Sequence, residues 1–326
     1  MTQNERLNAD GLICSADYAG TMNEVVLPYL EAHGRKTTVK GYQDRPLACV
    51  QYTAEQPRGT VLVLHGFTEN AFKFSEISHS LLLNGYSVLA YDQRGHGFSW
   101  RSQTEDYSLT HVDDFQEYVR DLEIVCDRLL KGMPKPWYLF SHSMGGAVSA
   151  FYLEAHDGVF RKAAFCAPMI APNMGMPLPA AAVLLNGVKL LGKGKKRAFV
   201  SKSYSGPEDF DTSCATSRER FDWYDGIKAA HREYWNNGPT YGWTLEAMNV
   251  TKELLKPGAP EEITIPVRLY TAEVDSSVLP GPQEAFIARV KNGKRALVKG
   301  SRHEIYRSTD AVLFPWWHEI LEFFNQ

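Results

Sequence analysis

The chain has no run of about 18 consecutive apolar residues, so no segment of it is expected to cross a bilayer as a helix. It has little cysteine. Cys14, Cys49, Cys126, Cys166 and Cys214 are odd in number and widely scattered, with no CxxC pair and no Cys/His cluster from which a metal site would be read. Cys126 and Cys166 fall in apolar stretches and read as small buried hydrophobes, a usage that fits a reducing compartment. It also lacks an excess of either charge. With 35 Lys and Arg against 38 Asp and Glu, the formal net charge of -3 gives no broad basic field, which argues against a nucleic-acid partner. The opening MTQNERLNAD is polar and carries no apolar segment, so no secretory leader is expected and the expected location is cytoplasmic. There is no internal repeat or low-complexity tract.

What is present is ordinary for a globular protein: 44% hydrophobic and 22% charged residues argue against disorder. A length of 326 residues suits one large domain with an insertion. Short apolar runs lie at Leu47–Tyr52, Val61–Leu64, Tyr86–Tyr91, Trp137–Phe140, Ala163–Cys166, Val267–Tyr270 and Ala296–Val298. Bounded by Gly, Pro or polar residues, they read as buried strands. Helical patterns lie between most of them. Phe115, Tyr118, Val119, Leu122, Val125 and Leu129 recur along one helix face, and Ala71–Asn84 predicts another helix, stopped at Gly85. Alternation of this kind predicts an α/β fold with a mostly parallel sheet and helices on both faces. The rhythm breaks between about residues 169 and 262, a stretch rich in Pro, Gly, Trp and Tyr without buried strand runs. It predicts a helical cap inserted over the carboxyl ends of the strands, where ligands of such folds bind. The core would then run over 1–168 and 263–326, with 169–262 as the cap.

The segment WYLFSHSMGG carries the most chemistry. A strand runs into Ser141-His142-Ser143-Met144-Gly145-Gly146, and a helical pattern follows at once. This is a strand–serine–helix turn of the G-x-S-x-G type, with Ser141 in place of the first glycine. Small residues are needed on either side because the turn brings backbones close together. The turn lifts the Ser143 hydroxyl above the sheet, and the following helix N-terminus favours developing negative charge. Ser141 stands at the small-residue position and is the weaker candidate.

A serine hydroxyl needs a base to take its proton and a third group to orient that base. In this fold the order along the chain is serine, acid, histidine. Of ten histidines only His303 and His318 follow the returning strand at Val267, and His318 falls in an amphipathic C-terminal pattern, so His303 is the expected base. Asp275 is the expected acid, with Glu273 close enough to substitute. Two backbone N–H donors should stabilise the tetrahedral intermediate, one from Met144 and one from Phe67 in the His65-Gly66-Phe67 loop. Chemistry of this kind requires no cofactor and no metal.

At these residues the sequence resembles bacterial lysophospholipases and their monoacylglycerol-lipase relatives. The resemblance is carried by His65-Gly66-Phe67, Asp92-Gln93-Arg94-Gly95-His96-Gly97-Phe98-Ser99, His142-Ser143-Met144-Gly145-Gly146 and His303-Glu304-Ile305. Ala167-Pro168-Met169, Ser217-Arg218-Glu219-Arg220-Phe221, Gly238-Pro239-Thr240-Tyr241-Gly242-Trp243 and the ending Ile320-Leu321-Glu322-Phe323-Phe324-Asn325 resemble the lysophospholipase branch. The likeness runs from about residue 20 to the end. It implies hydrolysis of a single acyl chain from a lysophospholipid or monoacylglycerol. The residues by themselves support an ester or similar acyl substrate. The departures are Ser141, where other members carry Gly or Ala, and the TAEVD segment, which leaves Asp275 against Glu273 open.

Trp223, Tyr224, Trp235, Tyr241 and Trp243 are candidates to line an acyl-chain tunnel, or else fill the cap's own small core. Leu178–Val200 is apolar and then basic at Lys193, Lys195, Lys196 and Arg197, a candidate for peripheral contact with an anionic membrane face. Competing readings are a proline-type aminopeptidase or general esterase of the same fold, and a non-catalytic ligand-binding protein on a hydrolase scaffold. Nothing in the sequence specifies an oligomeric state.

Overall fold

The computed structural model describes residues 6–176, 178–198 and 201–326, with side chains throughout except at 178 and 179. Val200, the end of the apolar-then-basic stretch, and the first five residues lie outside the described residues. The strands are β1 (Gly34–Lys40), β2 (Pro46–Tyr52), β3 (Gly59–Leu64), β4 (Tyr86–Tyr91), β5 (Leu109–Thr110), β6 (Trp137–His142), β7 (Lys162–Cys166), β8 (Gly238–Pro239), β9 (Val267–Val274) and β10 (Gly293–Arg302). Eight of them form one sheet in the order β1-β2-β4-β3-β6-β7-β9-β10. From β4 to β10 every neighbouring pair is parallel; β1 with β2 and β2 with β4 are antiparallel. Each of the seven apolar runs forms part of a strand, but the last, Ala296–Val298, is not buried as expected: Leu297 is 51% exposed because β10 is the other edge of the sheet. In this sheet the strand not expected is β1, GRKTTVK, whose residues are mostly exposed because it closes the edge; the two-residue β5 and β8, which pair with each other, were not expected either. Charged side chains on such an edge discourage further strand pairing.

The central strands β3, β4 and β7 are buried along their whole length, and the alternation of side chains assigns them to two cores. Leu62, Leu64, Leu89 and Leu139 pack on one face with Tyr118, Leu122 and Val125 of the helix Gln116–Arg128 and Val148 of the helix Met144–Ala155. Val61, Val63, Val88 and Phe140 pack on the other with Ile77 and Leu81 of Ser75–Leu83 and Trp317 and Ile320 of Asp310–Asn325. The helix before β4 stops as expected at Gly85, whose φ of 80° is open to glycine at little cost.

Between β7 and β9 the structure has three longer helices, Leu178–Leu190, Arg218–Ala230 and Tyr241–Leu254. Ser217 and Thr240 cap the second and third, accepting from the N–H groups of Arg220 at 3.3 Å and Trp243 at 3.1 Å. The third helix joins the body of the molecule, with Trp243, Ala247, Val250 and Leu254 in the same core as Leu122 and Val148. The second is tied down by Arg220. This fully buried side chain donates to Glu76 at 2.9 and 3.0 Å, Asp310 at 2.8 Å and the carbonyl of Ile13 at 2.7 Å. Among the described residues no helix is long and apolar enough to cross a membrane.

Candidate active site

β6 ends at His142, and the next residue, Ser143, has φ 50° and ψ -118°. That conformation is rare for a residue with a Cβ and is held by its surroundings. The Ser143 N–H donates to the Cys166 carbonyl at 3.1 Å, and its own carbonyl accepts from Met169 at 2.8 Å and Gly146 at 2.9 Å. The need for small residues is geometric. A Cβ on Gly145 would lie 2.6 Å from the carbonyl oxygens of Leu64 and His65, and one on Gly146 would lie 2.4 Å from Pro168 Cβ. Ser141 is fully buried, and its hydroxyl has no hydrogen-bond partner among the described residues.

The Ser143 Oγ lies 2.8 Å from His303 Nε2, and His303 Nδ1 lies 2.7 Å from Asp275 Oδ2. These distances set the tautomer: Nδ1–H donates to the carboxylate and Nε2 accepts from the serine hydroxyl. Asp275 Oδ1 accepts from the N–H groups of Ser277 at 2.8 Å and Val278 at 3.0 Å, which fixes the carboxylate. Burial opposes ionisation of Asp275. His303 and these two N–H groups outweigh it and hold the carboxyl below its ordinary value. Glu273 points elsewhere: it is exposed and accepts from the Gly300 N–H at 2.7 Å.

Met144 begins the helix after Ser143, so its N–H has no acceptor within that helix. The orientation of the Phe67 N–H follows from its neighbours. His65 Nδ1 lies 2.7 Å from the Gly66 carbonyl, and His65 Nε2 accepts from the Gln93 N–H at 2.8 Å, so Nδ1–H must be the donor. Burial, the largest influence on His65, lowers its pKa and keeps it neutral in that tautomer. In a trans peptide the carbonyl and N–H point opposite ways, so holding the Gly66 carbonyl aims the Phe67 N–H away from His65. On the other side the Gly66 N–H donates to Glu69 Oε2 at 2.6 Å.

Glu69 was not singled out in the sequence, yet it anchors a buried network behind the turn. It accepts from His142 Nδ1 at 2.8 Å, from Lys73 at 3.2 Å and from the Tyr306 hydroxyl. His142 Nε2 faces the His303 carbonyl at 3.2 Å, so both ring nitrogens face acceptors, an arrangement that favours the imidazolium. The Asp92–Ser99 segment is architectural. Asp92 accepts from the N–H groups of Ala71 at 2.8 Å and Phe98 at 2.9 Å, and Arg94 pairs with Asp121 at 2.6 Å.

The aromatic candidates separate. The Trp243 ring packs on Phe67 with centroids 3.9 Å apart, and its Nε1–H donates to Tyr118 at 3.1 Å. Trp243 and Tyr241 line an apolar cavity of about 200 Å³ with Met174, Leu184 and Leu185. That cavity is joined to the acid loop through Asn173, whose N–H donates to the Ser277 carbonyl at 2.8 Å. Trp223 is not among its lining residues. It packs on Tyr18 and Phe72, with its Nε1–H on Asn23 at 3.2 Å, because its side of the helix faces the N-terminal helices. Tyr224, one position on, is buried and faces a polar cavity instead.

The chain is similar to lysophospholipase L2 of Escherichia coli (strain K12), 30% identical over 306 residues, covering 88% of this chain and 86% of that protein. A shorter match to monoglyceride lipase of Mus musculus is 32% identical over 136 residues, 41% of this chain and 42% of that one. A solved structure of a soluble variant of monoglyceride lipase from Saccharomyces cerevisiae has the same fold. Its TM-score is 0.71, over 89% of this chain and 94% of that one, at 19% identity. Residues 55–310 match the family described as serine aminopeptidase, S33. The chain belongs to that family of α/β-hydrolases.

Proposed function

We propose that the protein is a serine hydrolase that cleaves the carboxylic ester of a single-chain lipid, a lysophospholipid or monoacylglycerol, through an acyl-enzyme on Ser143. The observation that carries this reading is the hydrogen-bonded relay Ser143–His303–Asp275 at the N-terminus of a helix. His303 Nε2 takes the hydroxyl proton as Oγ attacks the ester carbon, and Asp275 stabilises the imidazolium that forms. The N–H groups of Met144 and Phe67 stabilise the oxyanion. When the tetrahedral intermediate collapses, the imidazolium gives its proton to the departing alcohol. Water, activated by the same imidazole, then releases the fatty acid and restores Ser143.

The similarity to lysophospholipase L2 and to monoglyceride lipase supports a lipid ester. So does the apolar cavity next to Phe67, which suits an acyl chain with Tyr241 and Trp243 along its wall. A peptidase would need a free carboxylate near the nucleophile for the substrate's amino terminus. Glu69 and Glu304 are already held by Lys73, Glu304 also by Arg307, and Glu208 by Lys228; Asp209 and Asp225 line the polar cavity too, so an aminoacyl arylamide is the substrate that separates the two readings.

The same reading extends to a membrane surface. On and just after the helix Leu178–Leu190, Val183 is 77% exposed, Leu190 89% and Leu191 73%. Lys193, Lys195 and Lys196 follow and are exposed. Arg197 is tied to Asp106 at 2.7 Å and Ser108 at 2.6 Å, so three lysines rather than four basic residues face outward. Met176 and Leu184 line the apolar cavity and are themselves exposed, so the cavity opens towards this surface.

The test is a panel at one acyl length: lysophospholipid, monoacylglycerol, p-nitrophenyl ester and aminoacyl arylamide. Turnover of the single-chain lipids with no arylamide cleavage is expected. Arylamide cleavage without lipid turnover would overturn the reading.

A further inference from the structure

A second cavity, polar and of about 380 Å³, shares no lining residue with the apolar one. It borders the catalytic machinery through the chain itself. Thr68 follows Phe67 and Glu304 follows His303, and both line it. We propose that this cavity is a headgroup subsite for a zwitterionic phosphodiester, with the phosphate held inward by Lys73, Lys228 and Arg307 and the ammonium at the carboxylate rim. The proposal rests on the single-chain lipid reading and deepens it.

The inner wall is cationic. Lys73, Lys228 and Arg307 expose 6%, 5% and 8% of their side chains. Each keeps unused donor capacity. Lys228 spends one of its ammonium hydrogens on Glu208 at 2.5 Å. Lys73 spends two, on Glu69 at 3.2 Å and Glu304 at 2.6 Å. Arg307 donates to Glu304 at 2.6 Å and to the Arg220 carbonyl at 3.1 Å, while its Nε is buried without a partner among the described residues. Buried donors of this kind suit the oxygens of a phosphate.

The outer part is acidic: Glu208 and Asp209 are exposed, while Asp225 is buried and accepts from the Glu208 N–H at 3.1 Å. With Glu304 the lining carries four carboxylates against three cations, so a bare phosphate dianion would meet net repulsion. A group with one charge of each sign would not. The order also matches. In a lysophospholipid bearing an amino alcohol, phosphorus lies closer to the ester than nitrogen does; in the cavity Lys73 and Arg307 pair with Glu304, the residue after His303, while Glu208 and Asp209 are exposed. The apolar and the polar cavity thereby suit the two ends of one amphiphile.

The experiment measures kcat/KM at one acyl length for a lysophospholipid with an ethanolamine headgroup, one with a glycerol headgroup, and the monoacylglycerol. Lys228→Met should lower the ratio of either phospholipid to the monoacylglycerol by roughly tenfold, the scale of one lost charge-assisted bond. Glu208→Gln with Asp209→Asn should lower the ethanolamine-to-glycerol headgroup ratio. On the wild-type protein, glycerophosphoethanolamine should compete with a short p-nitrophenyl ester while inorganic phosphate should not. This arm stands even if Lys228→Met fails to fold. Unchanged ratios, or no competition by glycerophosphoethanolamine, in a protein that turns over single-chain lipids would overturn the subsite alone. Turnover of the short ester with none of the three lipids would overturn the lipid reading beneath it.

Discussion

Asp275 is held from behind by two N–H groups, so one carboxylate oxygen is committed to the turn and the other to His303. Asp275→Asn would offer an amide where the imidazole needs an acceptor, and kcat should fall by roughly three orders of magnitude or more. Glu273→Gln, on a side chain whose partner is the Gly300 N–H, should leave kcat within about threefold, the range of a change at an exposed position. Comparable small losses from both would place the acid elsewhere. Glu69 and His142 give a second test. Burial opposes the charge on Glu69, but His142 and Lys73 hold its pKa well below 4.5. Burial likewise opposes the charge on His142, and Glu69 raises its pKa above 6.5. The Glu69 contribution to stability is present above 4.5 and is lost as pH falls through its lowered pKa. The His142 contribution is present below 6.5 and is lost as pH rises through its raised pKa. The Tm gap between wild type and Glu69→Gln should therefore be widest between pH 4.5 and 6.5 and narrow above that, with a remainder from Lys73. A gap that widens with pH would contradict the charged pair. Ser143 and His303 were legible because the elbow has a local signature and, of the two histidines after the last strand, His318 falls in an amphipathic helical pattern. Asp275 against Glu273 was not, since two carboxylates two residues apart at the end of a strand differ only in where the backbone aims them, and Glu273 is still in β9. Glu69 was hidden because its partners come from positions as distant as His142 and Tyr306.

At the scale of elements, the strands with long apolar runs were legible and the segments that pack by their ends were not. β1 has only one buried residue, Val39, so no apolar run announces it. The helices over residues 18–33 do carry a signal, with Tyr18, Met22, Val26 and Leu30 buried at spacings of four, though the alternation of strands and helices begins only after them. They matter because they pack beside the helix that Arg220 anchors. That guanidinium joins the segment between β7 and β9 to Glu76, Asp310 and the N-terminal region at once. Arg220→Met would leave Glu76 buried without its partner, and chemical denaturation should register a loss of about 3–5 kcal/mol. A loss under about 1 kcal/mol, the value of an exposed ion pair, would show that this anchor is not structural.

Across the whole molecule two cavities adjoin the triad's loops, a polar one through Thr68 and Glu304 and an apolar one through Asn173, and the apolar one opens where aliphatic side chains and lysines are exposed together. Tyr241 and Trp243 of the apolar cavity's wall were legible as candidates, whereas Trp223 lies elsewhere and the polar cavity was not legible, since it is assembled from segments that meet only in the fold. If that face meets a membrane, Lys193, Lys195 and Lys196 contribute together about 3 kcal/mol on an anionic surface, enough for reversible attachment. Sedimentation with anionic vesicles should weaken as salt shortens the Debye length from about 10 Å at 0.1 M, and should fall further when the three lysines become Gln. Binding indifferent to lipid charge and to those substitutions would reject the surface. The central claim concerns Ser143 itself, and the most direct measurement is intact-mass and peptide analysis after reaction with a fluorophosphonate. The account predicts a single adduct on Ser143, with no adduct and a loss of turnover of roughly three or more orders of magnitude in Ser143→Ala. An adduct on another residue, or a Ser143→Ala protein that still hydrolyses its ester, would contradict it.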